Sequence, residues 1–154
     1  MDTLIHGLWT YVASPSKRST PLLRWQLFFG VFPDLVWLPV TAYWLLTTGH
    51  LNFSMAFYEV SHSFVVWGAV VLVAMVWYRK AYLALWPWAL HILIDIPGHN
   101  AAKDLLTPFL WPVSDVVIRG WWNWLSVPWL IANYAAVAVV IAVIVYRGRN
   151  RSIQ

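Results

Sequence analysis

The chain has 154 residues, 61% of them apolar and 10% charged, with a formal charge of +4 and no cysteine. Soluble domains carry about 25% charged residues, and a soluble chain this short could not cover so much apolar surface, so one integral membrane domain, 1–154, is expected. A small, scattered charge excludes nucleic acid as the expected partner, and without cysteine there are no disulfides or thiolate metal sites.

The first apolar segment is short and holds His6. Asp2 opens it and Pro15, Lys17 and Arg18 follow, which is not the pattern of a cleavable signal. His6 lies eleven residues before Lys17, so a helix there reaches only about mid-depth. It reads as a half-helix or re-entrant piece, allowed only where protein buries its end. After a flexible linker at 14–21, a first span is expected over 22–48. Asp34 interrupts this span between Pro33 and Pro39, so a kink or break is expected there, freeing the carboxylate to turn inward.

The second span reads as 58–78, with Glu59 and His62 at its head, and the third as 81–96, carrying His91 and Asp95. The third is short and Pro97-Gly98 punctuates its end. The connection 98–126 holds His99, Lys103, Asp115 and Arg119 and a cluster of tryptophans. The fourth span, 127–146, has no charge, and a basic, flexible tail follows at 146–154. The expected fold is therefore all-α: a bundle of about four transmembrane helices plus the N-terminal half-helix.

Basic residues fall at 17–24, at Arg79-Lys80 and at Arg147, Arg149 and Arg151. Four spans put all three groups on one side, which the positive-inside rule makes cytoplasmic, with both termini there. Counted up from Arg79-Lys80, His62 and Asp95 lie at about 22–26 Å, in the outer half of the bilayer. Most of the thirteen tryptophans read as interfacial anchors, with a lipid-handling rim as the sharper alternative.

Ionisable groups at membrane depth are costly and usually face a protein interior where they carry function. On a helix His91 and Asp95 are one turn apart on one face and can reach one cation; a hydrogen-bonded structural pair is the plainer reading. Imidazole and carboxylate suit zinc, manganese or iron. Glu59 and His62 form Glu-x-x-His, which di-iron bundles need twice and which occurs here once. Glu59 reads equally as a base behind the ligands or as an interfacial carboxylate. His99 continues the four-residue spacing but would have to curl back after Pro97-Gly98. His50 reads as solvated loop, and Asp115, Lys103 and Arg119 as water-facing or as phosphate contacts.

The order of these pieces resembles a known family. His6-Gly7, Pro33-Asp34, Ser61-His62-Ser63, His91-x-x-x-Asp95 and then Thr107-Pro108-Phe109-Leu110-Trp111-Pro112 are similar to the bacterial and archaeal membrane-bound metal-dependent hydrolases, over positions 6 to about 114. Ser61 stands where threonine is usual, and Pro97-Gly98-His99 also departs from the pattern. The resemblance implies a prokaryotic cytoplasmic membrane and His6, Asp34, His62, His91 and Asp95 as metal ligands, with His99 less secure. More distantly the order resembles zinc-dependent phospholipase C and the zinc single-strand nucleases, whose further downstream ligands are missing here. One or two zinc ions are therefore expected, with manganese or iron as substitutes.

The function expected is a metal-dependent hydrolase cleaving a phosphoester of a lipid or amphiphile with a metal-activated water. Asp95, Glu59 and Ser61 are the candidate catalytic or orienting residues, and Lys103 and Arg119 the candidate head-group contacts. The alternative is a non-enzymatic metal-stabilised scaffold or an ion conduit. The lower halves of the second and fourth spans offer a conduit no polar partner.

Overall fold

The computed structural model describes residues 2–14, 20–49, 55–100, 106–123 and 126–151, and these form helices and no strand. In chain order the helices are α1 (Thr3–Ala13), α2 (Thr20–Thr48), α3 (Met55–Ser61), α4 (Phe64–Trp77), α5 (Tyr82–Gly98) and α6 (Val127–Arg151). The all-helical expectation holds for these residues. Of the four expected spans, two are candidates by length and composition: α2 and α6 are long and apolar enough to cross a membrane, while α4 is apolar but shorter.

The short α1 starts cleanly because the Asp2 carboxylate accepts the Leu4 N–H at 3.1 Å. His6, Thr10 and Ser14 are buried along it at four-residue steps, which places all three on one face. That face meets α2. Gly7 packs on Val31 and Thr10 on Gly30, and the Ser14 hydroxyl donates to the Gln26 side-chain carbonyl. As the contacts step forward along α1 they step back along α2, so the two helices run antiparallel.

The prolines do not break α2, which runs as one helix through Pro33 and Pro39, so of the kink or break expected beside Asp34 the break is not found. A proline inside a helix supplies no N–H and displaces the carbonyl four residues earlier, and apolar bundles tolerate this where a neighbour supplies the missing donor. In α5 Pro87 deprives the Leu83 carbonyl of its donor, and Gln26 Nε2 bonds that carbonyl at 2.7 Å. One turn before Pro33 the Gly30 carbonyl accepts His91 Nδ1 at 2.8 Å. These two bonds lie in the same order along both helices, so α2 and α5 run parallel, and they form the most extensive helix pair.

The expected single span at 58–78 is two helices. Ser63 is extended (φ −106°, ψ 128°) and caps α4, its hydroxyl accepting Val65 N–H at 3.1 Å and Val66 N–H at 3.2 Å. The Ser61 carbonyl, left behind by the break, accepts Trp88 Nε1–H at 2.6 Å. Outside the break lies the Thr107–Pro112 stretch: Phe64 N–H donates to the Phe109 carbonyl at 2.9 Å and the Ser63 hydroxyl to the Trp111 carbonyl. His62 sits at the junction and is fully buried.

The expected stop at Pro97-Gly98 falls later, since α5 includes both residues and His99 N–H closes its last turn on the Asp95 carbonyl at 3.1 Å. The chain then returns over this helix end: Gly120 N–H reaches the His99 carbonyl at 3.2 Å and Trp121 N–H the Pro97 carbonyl at 3.0 Å. A side chain at Gly120 would strike the Pro97 carbonyl and come within 2.6 Å of the Ile96 carbonyl, so only glycine fits. The basic tail is also corrected, because α6 stays helical to Arg151. Apolar packing divides in two, one cluster around Val71, Leu85, Trp88 and Ile92, and one where Ile5 of α1 meets Val137 of α6.

Candidate metal centre

Four helical elements deliver the ionisable residues to one point: α1 brings His6, α2 Asp34, the α3–α4 junction His62, and α5 His91 and Asp95. All five are buried. Ligand atoms of Asp34, His62, His91 and Asp95 lie within 4.8 Å of one another. His62 Nε2 is 3.3 Å from His91 Nε2, and the two nitrogens are 3.3 and 3.2 Å from Asp95 Oδ2. Asp34 Oδ1 is 3.5 Å from His91 Nε2 and 3.9 Å from His62 Nε2.

The tautomers follow from the outer nitrogens. A backbone carbonyl only accepts, so His91 Nδ1, 2.8 Å from the Gly30 carbonyl, carries a proton. His62 Nδ1 is 3.0 Å from the Tyr58 carbonyl and is protonated for the same reason; the Ser61 hydroxyl, 2.9 Å away, shares that proton and donates its own to the Tyr58 carbonyl at 3.3 Å. In their neutral form these rings aim Nε2 lone pairs at each other and at two carboxylates, an arrangement that is repulsive unless a proton or a cation lies between the four atoms.

A divalent ion fits the donor set. Around zinc, with bonds of about 2.0–2.1 Å, tetrahedral ligand atoms are separated by about 3.3–3.4 Å; the five edges given above run from 3.2 to 3.9 Å, and the sixth, Asp34 to Asp95, is within 4.8 Å. Two carboxylates supply the two negative charges that a divalent ion neutralises. The second oxygen of Asp34 is buried and has no hydrogen-bond partner among the described residues, an orphan of the kind that an ion or water resolves.

His6 occupies a different position. Its ring stacks on His91, centroids 3.6 Å apart, and Nε2 lies 3.1 Å from Asp95 Oδ1, the oxygen turned away from His62 and His91. Neither ring nitrogen of His6 makes a well-aligned hydrogen bond, and His6 is not one of the four converging donors. His99 does curl back: Nδ1 is 2.8 Å from the Asp95 carbonyl and 3.8 Å from Asp95 Oδ1, with the Thr107 hydroxyl 3.4 Å away. That carbonyl holds the proton on His99 Nδ1, so this nitrogen braces the end of α5.

The remaining candidates separate. Ser61 orients His62. Glu59 is half-buried on α3 and is not among the converging donors. Arg119 is exposed and its Nε donates to Asn100 at 2.8 Å, beside the end of α5. Lys103 and His50 lie outside the described residues. Sequence reasoning missed Tyr58, whose ring stacks on His62 at 3.9 Å and whose carbonyl fixes its tautomer; the four-residue step from 58 to 62 was the available signal. Gly30, Thr10 and Gln26 were missed as well.

Comparison with protein-family models, with curated proteins and with solved structures finds no match to this chain.

Proposed function

We propose that the chain is a membrane-embedded metal-dependent hydrolase acting on a phosphoester of a lipid or amphiphile, related to the membrane-bound hydrolases that its motif order resembles. The observation that carries the metal reading is the set of four buried donors within 4.8 Å of one another, with two compensating charges. Asp34, His62, His91 and Asp95 would hold the ion, zinc being the first choice for this donor set. A divalent ion held there supplies Lewis acidity toward a phosphoryl oxygen and acidifies water.

The hydrolytic reading draws on what surrounds the four donors. A purely structural site needs nothing more, yet His6 lies against Asp95 with unaligned nitrogens and the buried Tyr58 hydroxyl makes no well-aligned hydrogen bond. His6 is placed to hold Asp95 and to move a proton at Asp95 Oδ1. Arg119 is the remaining described head-group candidate.

Membrane insertion belongs to this proposal. Leu46, Leu72, Val76 and Val139, on three helices, are all more than 60% exposed, a surface suited to lipid. In this reading the bundle crosses four times; the second crossing is broken at His62, and α5 is the shortest of the unbroken ones.

A second reading is favoured by one observation. Four protein donors, all buried, make a closed site, and closed zinc sites are structural. Cobalt-substituted protein separates the two readings. If inorganic phosphate shifts the visible cobalt bands, and zinc-dependent release of product from phospholipid or lipid phosphate is lost in Asp95→Asn, the hydrolase reading stands. Bands indifferent to phosphate, with metal retained and no turnover above Asp95→Asn, leave the metal-stabilised scaffold.

A further inference from the structure

Gly30 of α2 lies between the α1 face and the α5 face of the site and touches both. On one side α2 has no side chain to hold α1 away: a Cβ on Gly30 would collide with Thr10 Oγ1 and lie 3.0 Å from Thr10 Cβ and 3.2 Å from its Cγ2. Thr10 is one helical turn from His6 and both are buried on the same face. On the other side the Gly30 carbonyl, at 2.8 Å, holds the proton on His91 Nδ1 and so directs Nε2 to the cluster. The two rings thus placed, His6 and His91, stack on each other at 3.6 Å.

We infer that Gly30 is a positioning residue of the metal centre, setting the approach of α1 that brings His6 onto Asp95 and the ring orientation of His91 as a ligand. The inference rests on the metal reading for its second half only. In a helix, alanine is otherwise preferred to glycine, so Gly30→Ala would stabilise the protein if packing were indifferent to it. Gly68 of α4 is the control, because a Cβ there meets nothing within 4 Å.

Two readouts test the inference. The first needs no metal. A Gly7→Cys, Val31→Cys pair, placed where a Cβ on Gly7 lies 3.4 Å from Val31, should oxidise to a disulfide across α1 and α2, without background in a chain that has no cysteine. Adding Gly30→Ala should lower the cross-link yield, Gly68→Ala should not, and Gly30→Ala with Thr10→Gly should restore it. The second readout is cobalt itself: Gly30→Ala should weaken its binding by about 10–100-fold, as loss of a ligand-orienting partner does, and change its visible bands, with recovery in the double variant. If Gly30→Ala does not accumulate, recovery of both signals in the double variant supports the inference and its failure overturns it. Cross-link yield and cobalt bands both unchanged in Gly30→Ala also overturn it. A parent protein that takes up no cobalt overturns the metal reading and the ligand half with it, while the cross-link still decides whether Gly30 sets the approach of α1.

Discussion

His62 and His91 use one arrangement twice: a helix carbonyl takes the Nδ1 proton and leaves Nε2 as a lone pair inside the cluster. His6 has no such carbonyl among the described residues, and its contact is with Asp95, a proposed ligand, at 3.1 Å. The three histidines should therefore behave differently on removal. In protein purified in mild detergent, His91→Ala or His62→Ala should abolish stoichiometric zinc. His6→Ala should keep the stoichiometry and weaken affinity by about 10–100-fold, the range for groups that orient a ligand. Competition with a chromophoric chelator measures both, and a His6→Ala protein without zinc would make His6 a ligand. The positions of these residues were legible in the sequence because an imidazole or carboxylate inside an apolar run has few uses. Their separate roles were not, since these depend on carbonyls contributed by other helices or by the preceding turn.

Helices α2 and α5 show why element boundaries were harder to read. Pro33, Pro39 and Pro97 look like breaks, yet both helices run through them; at Pro87 the freed Leu83 carbonyl takes a replacement donor from Gln26 of the opposite helix. The opposite error was made at 61–63. Ser-His-Ser inside an apolar run read as part of one span, while Ser63 in fact starts a new helix by capping it. Ser63→Ala removes two accepted N–H bonds and the bond to the Trp111 carbonyl. A cap is worth about 1 kcal/mol and a further hydrogen bond about 0.5–1.5 kcal/mol. Denaturant unfolding in detergent should show a loss of about 1.5–2.5 kcal/mol for Ser63→Ala, with most of it regained in Ser63→Thr. An unchanged midpoint would mean that the break does not depend on the cap.

Across the whole molecule, α6 contributes no ligand and packs chiefly on α1, through Trp9 Nε1–H to the Asn133 side chain at 3.2 Å and Tyr134 hydroxyl to Asp2 at 2.6 Å. Polar pairs of this kind between apolar helices contribute about 0.6 kcal/mol each on average, so they orient α1 more than they stabilise it. They also bear on topology. In the four-crossing proposal α6 begins on the outer side, and Tyr134, seven residues in, lies about 10 Å below that end. Asp2 is tied to Tyr134, so within that proposal the amino end of α1 would point to the outer half of the bilayer and its carboxyl end to the cytoplasm, at odds with an N-terminus on the cytoplasmic side. Membrane-impermeant thiol reagents test both termini, since the chain has no cysteine. Ser152→Cys should react only from the cytoplasmic side, Asp115→Cys only from outside, and Thr3→Cys not at all from the cytoplasmic side. Labelling of Ser152→Cys from outside intact cells would invert the bundle and put the metal centre in the inner half; labelling of Thr3→Cys from the cytoplasm would separate α1 from α6 and remove His6 from the site.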